Sequence, residues 1–96
     1  MPTDFENALL ARRTAEATRG NEDAAYDLGV AYSTGTAGAT LDLIEAHKWF
    51  NLAAARGHEA AAAARAEVAE DMTAREIATA QRAARDVLAL GTRRAA

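Results

Sequence analysis

Residues His47 to Ala61 read H-K-W-F-N-L-A-A-A-R-G-H-E-A-A, and they hold the chain's only tryptophan beside one of its two phenylalanines. Both rings stand against a run of alanine, and Gly57 follows Phe50 by seven residues. On a helix, Ala46, Phe50, Ala53 and Gly57 share one face, with Leu43 and Trp49 at its edges. Small residues at 46, 53 and 57 let a neighbouring helix approach, and the two aromatics fill the space beside it. In the preceding segment Ala24, Leu28 and Tyr32 form the facing stripe, and Gly29 removes a side chain where the two backbones cross. The aromatics are therefore expected to wedge helices apart in a stacked array, which is a packing role.

Working outward, helix is the secondary structure the chain supports throughout. Its one proline is Pro2, and no alternating apolar run is bounded by turn residues. Thr3 with Glu6 and Thr73 with Glu76 fit the S/T-x-x-E capping box, and Asp42 with Glu45 has the same spacing. Gly20, Gly57 and Gly91 follow Ala- and Arg-rich stretches, where a helix wants a left-handed terminating residue. These signals predict an all-α domain with five helices over 4–19, 22–34, 42–56, 59–70 and 74–90. Short connections make successive helices neighbours, and only the segment from Ser33 to Leu41 is a longer loop.

A repeat underlies the order. Gly20-Asn21-Glu22-Asp23-Ala24 returns as Gly57-His58-Glu59-Ala60-Ala61, a period of 37. At an offset of 31, Asp42, Ala46, Trp49, Ala53 and Gly57 fall on Thr73, Ile77, Ala80, Ala84 and Leu88. The reading is one full helical hairpin with a truncated unit on each side, the last two helices forming a second hairpin.

Ala24, Leu28, Gly29, Tyr32, Gly35, Gly38, Asp42, Ala46, Trp49, Ala53, Ala54, Gly57 and Ala61 together form a pattern that resembles the Sel1-like repeat, a relative of the tetratricopeptide repeat. Two positions depart from it: Ala37 looks like a one-residue insertion between the loop glycines, and Ala39 stands where the family usually has valine. The resemblance implies a short right-handed α-solenoid that serves as a protein–protein interaction scaffold. It also implies that Tyr26, Asp27, Val30 and Ser33 line the inner surface where related solenoids bind partners. Solenoids usually need about three repeats to be stable, so self-association or docking on something larger is expected.

Composition bounds the rest. The 96 residues suffice for one small domain, and alanine makes up more than half of the hydrophobic half of the chain. Alanine buries little area, so the core must be thin. The net charge of −3 argues against a general nucleic-acid or membrane-surface role. It is unevenly spread: from Met72 onward five arginines face Glu76 and Asp86, about +3, leaving about −6 for the rest. Without cysteine there is neither a disulfide framework nor a thiolate site. No secretory leader and no membrane-spanning run is visible, so a cytoplasmic protein is expected, and the Ala- and Arg-rich composition suits a GC-rich bacterial genome.

Reactive chemistry finds little footing. Gly35-Thr36-Ala37-Gly38 lacks the preceding strand and following G-K-[ST] of a phosphate cradle, and Asp42 near the next helix start would repel an anion. His47 and His58 lie eleven residues apart, outside the i, i+4 spacing of a helical metal pair, so solvated or capping roles are expected. Ser33 is the only serine, and the pairs Asp23/Asp27 and Glu67/Asp71 read as solvated helix faces. No catalytic residue, cofactor or metal is expected. Arg75, Arg82 and Arg85 fit the solvated side of the last helix, and Arg93 and Arg94 suit a helix C-terminus. A nucleic-acid role for that arginine end is the third-ranked alternative.

Helix 42–56 keeps a second side, with Ile44, Lys48, Asn51, Leu52 and Ala55 opposite the packed one. Ile44 and Leu52 either pack against flanking helices or form an interaction patch with Lys48. The function expected is thus a non-enzymatic adaptor that binds another protein through the inner surface of its hairpin. The alternative is a homo-oligomer that buries Ile44, Leu52 or the Ala-rich 59–70 helix.

Overall fold

The structure, a computed structural model, describes residues 1–95, with side chains through Leu90. It contains α1 (Asp4–Thr18), α2 (Glu22–Thr34), α3 (Leu43–Ala55), α4 (Ala61–Ala69) and α5 (Ala74–Ala95), with no strand among the described residues. Capping chemistry fixes the starts. The Glu6 amide donates to Thr3 Oγ1 at 3.1 Å, and the Thr3 amide donates back to Glu6 Oε1 at 3.0 Å. Thr73 and Glu76 make the same reciprocal pair at α5, at 2.8 and 3.1 Å. Asp42 caps α3 by accepting from the Glu45 amide, and Asn21, which was not foreseen as a cap, does so for α2 from the Ala24 amide. Helix α4 starts two residues later than expected. Ala60 occupies its cap position and offers no side-chain acceptor, so His58 to Ala60 form a turn instead.

Gly20 and Gly57 end α1 and α3 with positive φ, as expected. Gly91 does not end α5, whose backbone continues through it to Ala95. The side chains of Arg93 and Arg94, expected at that helix end, lie outside the described ones.

Helix α3 is the centre of the arrangement. It packs against α2, α4 and α5, while α1 packs on α2. Helix α5 barely touches α4, which corrects the expected second hairpin. The physical reason lies in the side chains. Ala80 and Ala84 are fully buried and let α5 close on the core around α3, whereas the nine-residue, alanine-rich α4 offers no apolar side chain larger than valine for α5 to hold.

All five helices contribute to one apolar cluster: Ala17 from α1, Ala24, Ala25 and Leu28 from α2, Trp49, Leu52 and Ala53 from α3, Ala61 from α4 and Ala84 from α5. Among the described residues only Leu28 and Leu52 are large side chains without any exposure, so the core is as thin as the composition demanded. Trp49, 4% exposed, supplies the bulk. Phe50 is buried too, and its ring lies flush on Gly29, where an added Cβ would come within 2.4 Å of it. Gly57, by contrast, is exposed, and an added Cβ would meet only Glu22 Oε2, at 3.7 Å. Its role is the chain reversal and not the close helix approach expected of it.

The 33–41 loop folds back onto α1. The Gly38 backbone, at φ 88°, sits so close to the Glu6 carbonyl that a Cβ would stand 2.9 Å from its oxygen. Ala37 holds φ 53°, the left-handed region that a side chain disfavours. The loop's exit is pinned by the Asp42 amide, which donates to the Tyr32 carbonyl at 2.9 Å. Burial raises the Tyr32 phenol above its ordinary value, with Glu45 and Asp42 adding to the rise. At the other end, the Arg56 guanidinium donates to the Ala17 carbonyl and ties the end of α3 to that of α1. Burial holds its pKa below the ordinary arginine value.

Candidate functional site

Three series of residues at helical spacing converge on one groove. From α2 come Tyr26, Val30 and Ser33, at i, i+4 and i+7. The opposite wall is Ala64, Glu67 and Val68 of α4, continued by Asp71 just past its end. Leu43 and Phe50, seven apart on α3, line the groove between these walls. The groove encloses about 320 Å³, and among the described residues no lysine, arginine or histidine lines it.

Local packing holds the α2 wall in place. The Tyr26 ring stacks on His58, with centroids 4.2 Å apart and planes 8° from parallel, and meets the Phe50 ring at 5.4 Å and 52°. His58 Nε2 in turn lies 3.6 Å from Asp23 Oδ1. His58 is therefore neither solvated nor a helix cap. It is the plate that backs Tyr26. Ser33 spends its hydroxyl locally, donating to the Val30 carbonyl at 3.0 Å. Val30 itself is 38% exposed, a large apolar side chain open to solvent.

Asp27 faces a neighbouring concavity of about 370 Å³ that shares Tyr26 and Val30 with the groove and adds Arg13, Ala31, Thr36 and Ala37. The α2 positions expected to form an inner surface thus do share one side of the helix, spread over two adjoining hollows.

The second side of α3 behaves differently. Leu52 is fully buried in the core, where α3 is covered by its neighbours, which removes it as a surface candidate. Ile44 is half-buried and lines no wall of the groove. Lys48 reaches Glu45 Oε2 at 2.6 Å, and its ammonium lies 4.5 Å from the centre of the Trp49 ring, so its charge is already engaged. His47, expected to be solvated or capping, is buried with Nδ1 unpartnered, and burial lowers its pKa below the ordinary 6.5, with Arg65 contributing. Arg65 itself donates to Asn51 Oδ1, joining α4 to α3.

Sequence reasoning missed the α4 wall. Glu67 and Asp71 had read as a solvated pair, and Ala64 and Val68 were not singled out. The signal was present in the i, i+3, i+4, i+7 spacing of 64, 67, 68 and 71, but alanine on every side of α4 hides which face is covered. Among the described residues no three His, Asp or Glu side chains gather as a metal would require, and no helix is long and apolar enough to cross a membrane. No protein-family model, no curated protein and no solved structure matches the chain.

Proposed function

We propose that the chain is a non-enzymatic, cytoplasmic interaction module that binds a segment of another protein in the groove between α2 and α4. The observation that carries this reading is the convergence of Tyr26, Val30 and Ser33 on a preformed hollow with an uncovered apolar side. The Sel1-like pattern from Ala24 to Ala61 supports it as well, and under that resemblance the helices make a short right-handed α-solenoid whose inner surface is this groove. Binding is favoured over catalysis because the only serine bonds its own helix and no histidine lines the hollow.

The test is capture from a lysate followed by titration with the purified partner. Val30→Gln with Val68→Gln should weaken binding about tenfold, as truncations at an interface centre do. Leu41→Gln, on a 60% exposed residue outside the groove, should leave it unchanged. Equal retention by the Val30/Val68 variant would refute the assignment. Self-association is the second reading, favoured by the exposure of Phe5 (76%) and Leu41. Recovery of the chain's own copies alone would put it first.

A further inference from the structure

The charge at the end of α4 runs against helix electrostatics. The last turn carries no basic residue, yet Glu67, Glu70 and Asp71 gather where the helix carbonyls already present partial negative charge. Glu67 and Asp71 both open onto the groove, two like charges on one wall. Among the described residues three carboxylates have cationic neighbours, Glu16 by Arg12, Glu45 by Lys48 and Asp23 by His58, and Glu67 and Asp71 are among those that do not. Acidic residues at a helix C-terminus run against a local rule, and such departures concentrate at functional or strained places.

We infer that the groove takes a cationic peptide segment of a separate protein, with an aliphatic side chain against Val30 and Val68 and an arginine or lysine against Glu67 and Asp71. This rests on the binding reading above and specifies its partner. Size and charge both favour it. A hollow of about 320 Å³ lies at the lower end of ligand clefts, about 300–1,000 Å³, and suits a few side chains of a peptide better than a whole cofactor. Its walls combine apolar area with two carboxylates and no cation, so an acidic segment is repelled and a neutral one leaves both carboxylates unpaired.

The experiment is selection of a random short-peptide library on the immobilised full chain. Selected peptides should be enriched in arginine and lysine next to leucine, isoleucine or valine. Glu67→Gln with Asp71→Asn should weaken the selected peptides about fivefold, as two exposed pairs predict, and flatten their salt dependence. Both positions are exposed and their charges oppose the helix dipole, so these variants should melt no lower than the parent. Enrichment of acidic or uncharged peptides, or of none, overturns the inference. If uncharged peptides are selected and lost with Val30→Gln, the groove remains a binding site and only its charge preference falls. Basic peptides that ignore Val30→Gln would instead remove the groove itself. A doubled sedimentation mass abolished by Glu67→Gln and Asp71→Asn would place the arginine-bearing α5 of a second copy there and overturn the separate partner.

Discussion

Gly29→Ala sets two effects of opposite sign against each other at one atom. Gly29 lies inside α2, where alanine is the better helix former by about 1 kcal/mol. If backbone propensity decided the matter, the variant would be more stable. The added Cβ, however, would stand 2.4 Å from both Cδ1 and Cε1 of Phe50 and 2.8 Å from Cγ. Those atoms belong to a rigid ring that is 2% exposed, so no flexible chain end can swing away. Either α2 and α3 separate or the ring leaves its rotamer, and overpacking of this kind costs about 1–3 kcal/mol. Contact at 2.4 Å against an immobile ring belongs at the upper end. Subtracting the propensity gain leaves a net loss of about 1–2 kcal/mol, or a fall of several degrees in Tm at about 4–8 °C per kcal/mol for this size. Urea unfolding followed by Trp49 fluorescence and by far-ultraviolet circular dichroism measures it. Phe50→Leu removes the ring, so in that background Gly29→Ala should be neutral or stabilising, giving a positive coupling in the double-mutant cycle. A Gly29→Ala protein as stable as the parent, or an equal effect in both backgrounds, would refute the close-approach argument.

Trp49→Ala should cost about 3–5 kcal/mol, about a fifth or more of the stability of an ordinary small domain, and show as a large fall in the cooperative thermal transition. Ala37→Gly should stabilise by about 0.5–1 kcal/mol, because glycine adopts the left-handed conformation without the side-chain penalty and returns only part of that gain as unfolded-state entropy. His47 has a folded-state pKa below its ordinary 6.5, so the neutral form is the one the fold accepts. Its contribution is therefore fully present above pH 6.5 and is lost as pH falls through the folded value. Urea midpoints should drop between pH 7.5 and pH 5, and His47→Leu should flatten that part of the profile.

Much of the architecture was written in local chemistry that needs no tertiary knowledge. Thr3/Glu6, Asp42/Glu45 and Thr73/Glu76 announce three helix starts because each pairs a short acceptor with an amide three residues on, and all three bonds form. Trp49, Phe50 and Gly29 announced the α2–α3 contact because bulky rings beside a glycine have few other uses in an alanine-rich chain. Two things escaped. Gly91 looked like a stop, but a glycine costs a helix only about 1 kcal/mol and ends one only when the chain is made to turn there. The partner of α5 escaped because Ala80 and Ala84 suit close packing against any helix, so their spacing says that α5 docks without saying where.

The site was half legible for the same reason. The Sel1-like resemblance, and not their spacing, puts Tyr26, Asp27, Val30 and Ser33 on an inner surface, and Tyr26, Val30 and Ser33 do line the groove. The opposite wall was not foreseen, because a helix of nine residues rich in alanine has no face that declares itself. Only when α3 fixes α4 through Ala61 and Arg65 do Glu67 and Asp71 turn from a solvated pair into the acidic rim of a hollow. The thin core and the open groove then have a common origin. With so few large side chains, this chain assigns Trp49, Leu28 and Leu52 to holding five helices together and leaves Val30 and Val68 on a surface only partly covered. A segment seated there would add apolar burial to a domain short of it, so ligand binding and stability should rise together, by RT ln(1 + [L]/Kd). A basic peptide bound at a hundredfold excess over its Kd should raise stability by about 2.7 kcal/mol. A melting temperature unmoved by such a peptide, at a concentration where titration shows the site filled, would mean that the peptide binds the unfolded chain as well as the groove.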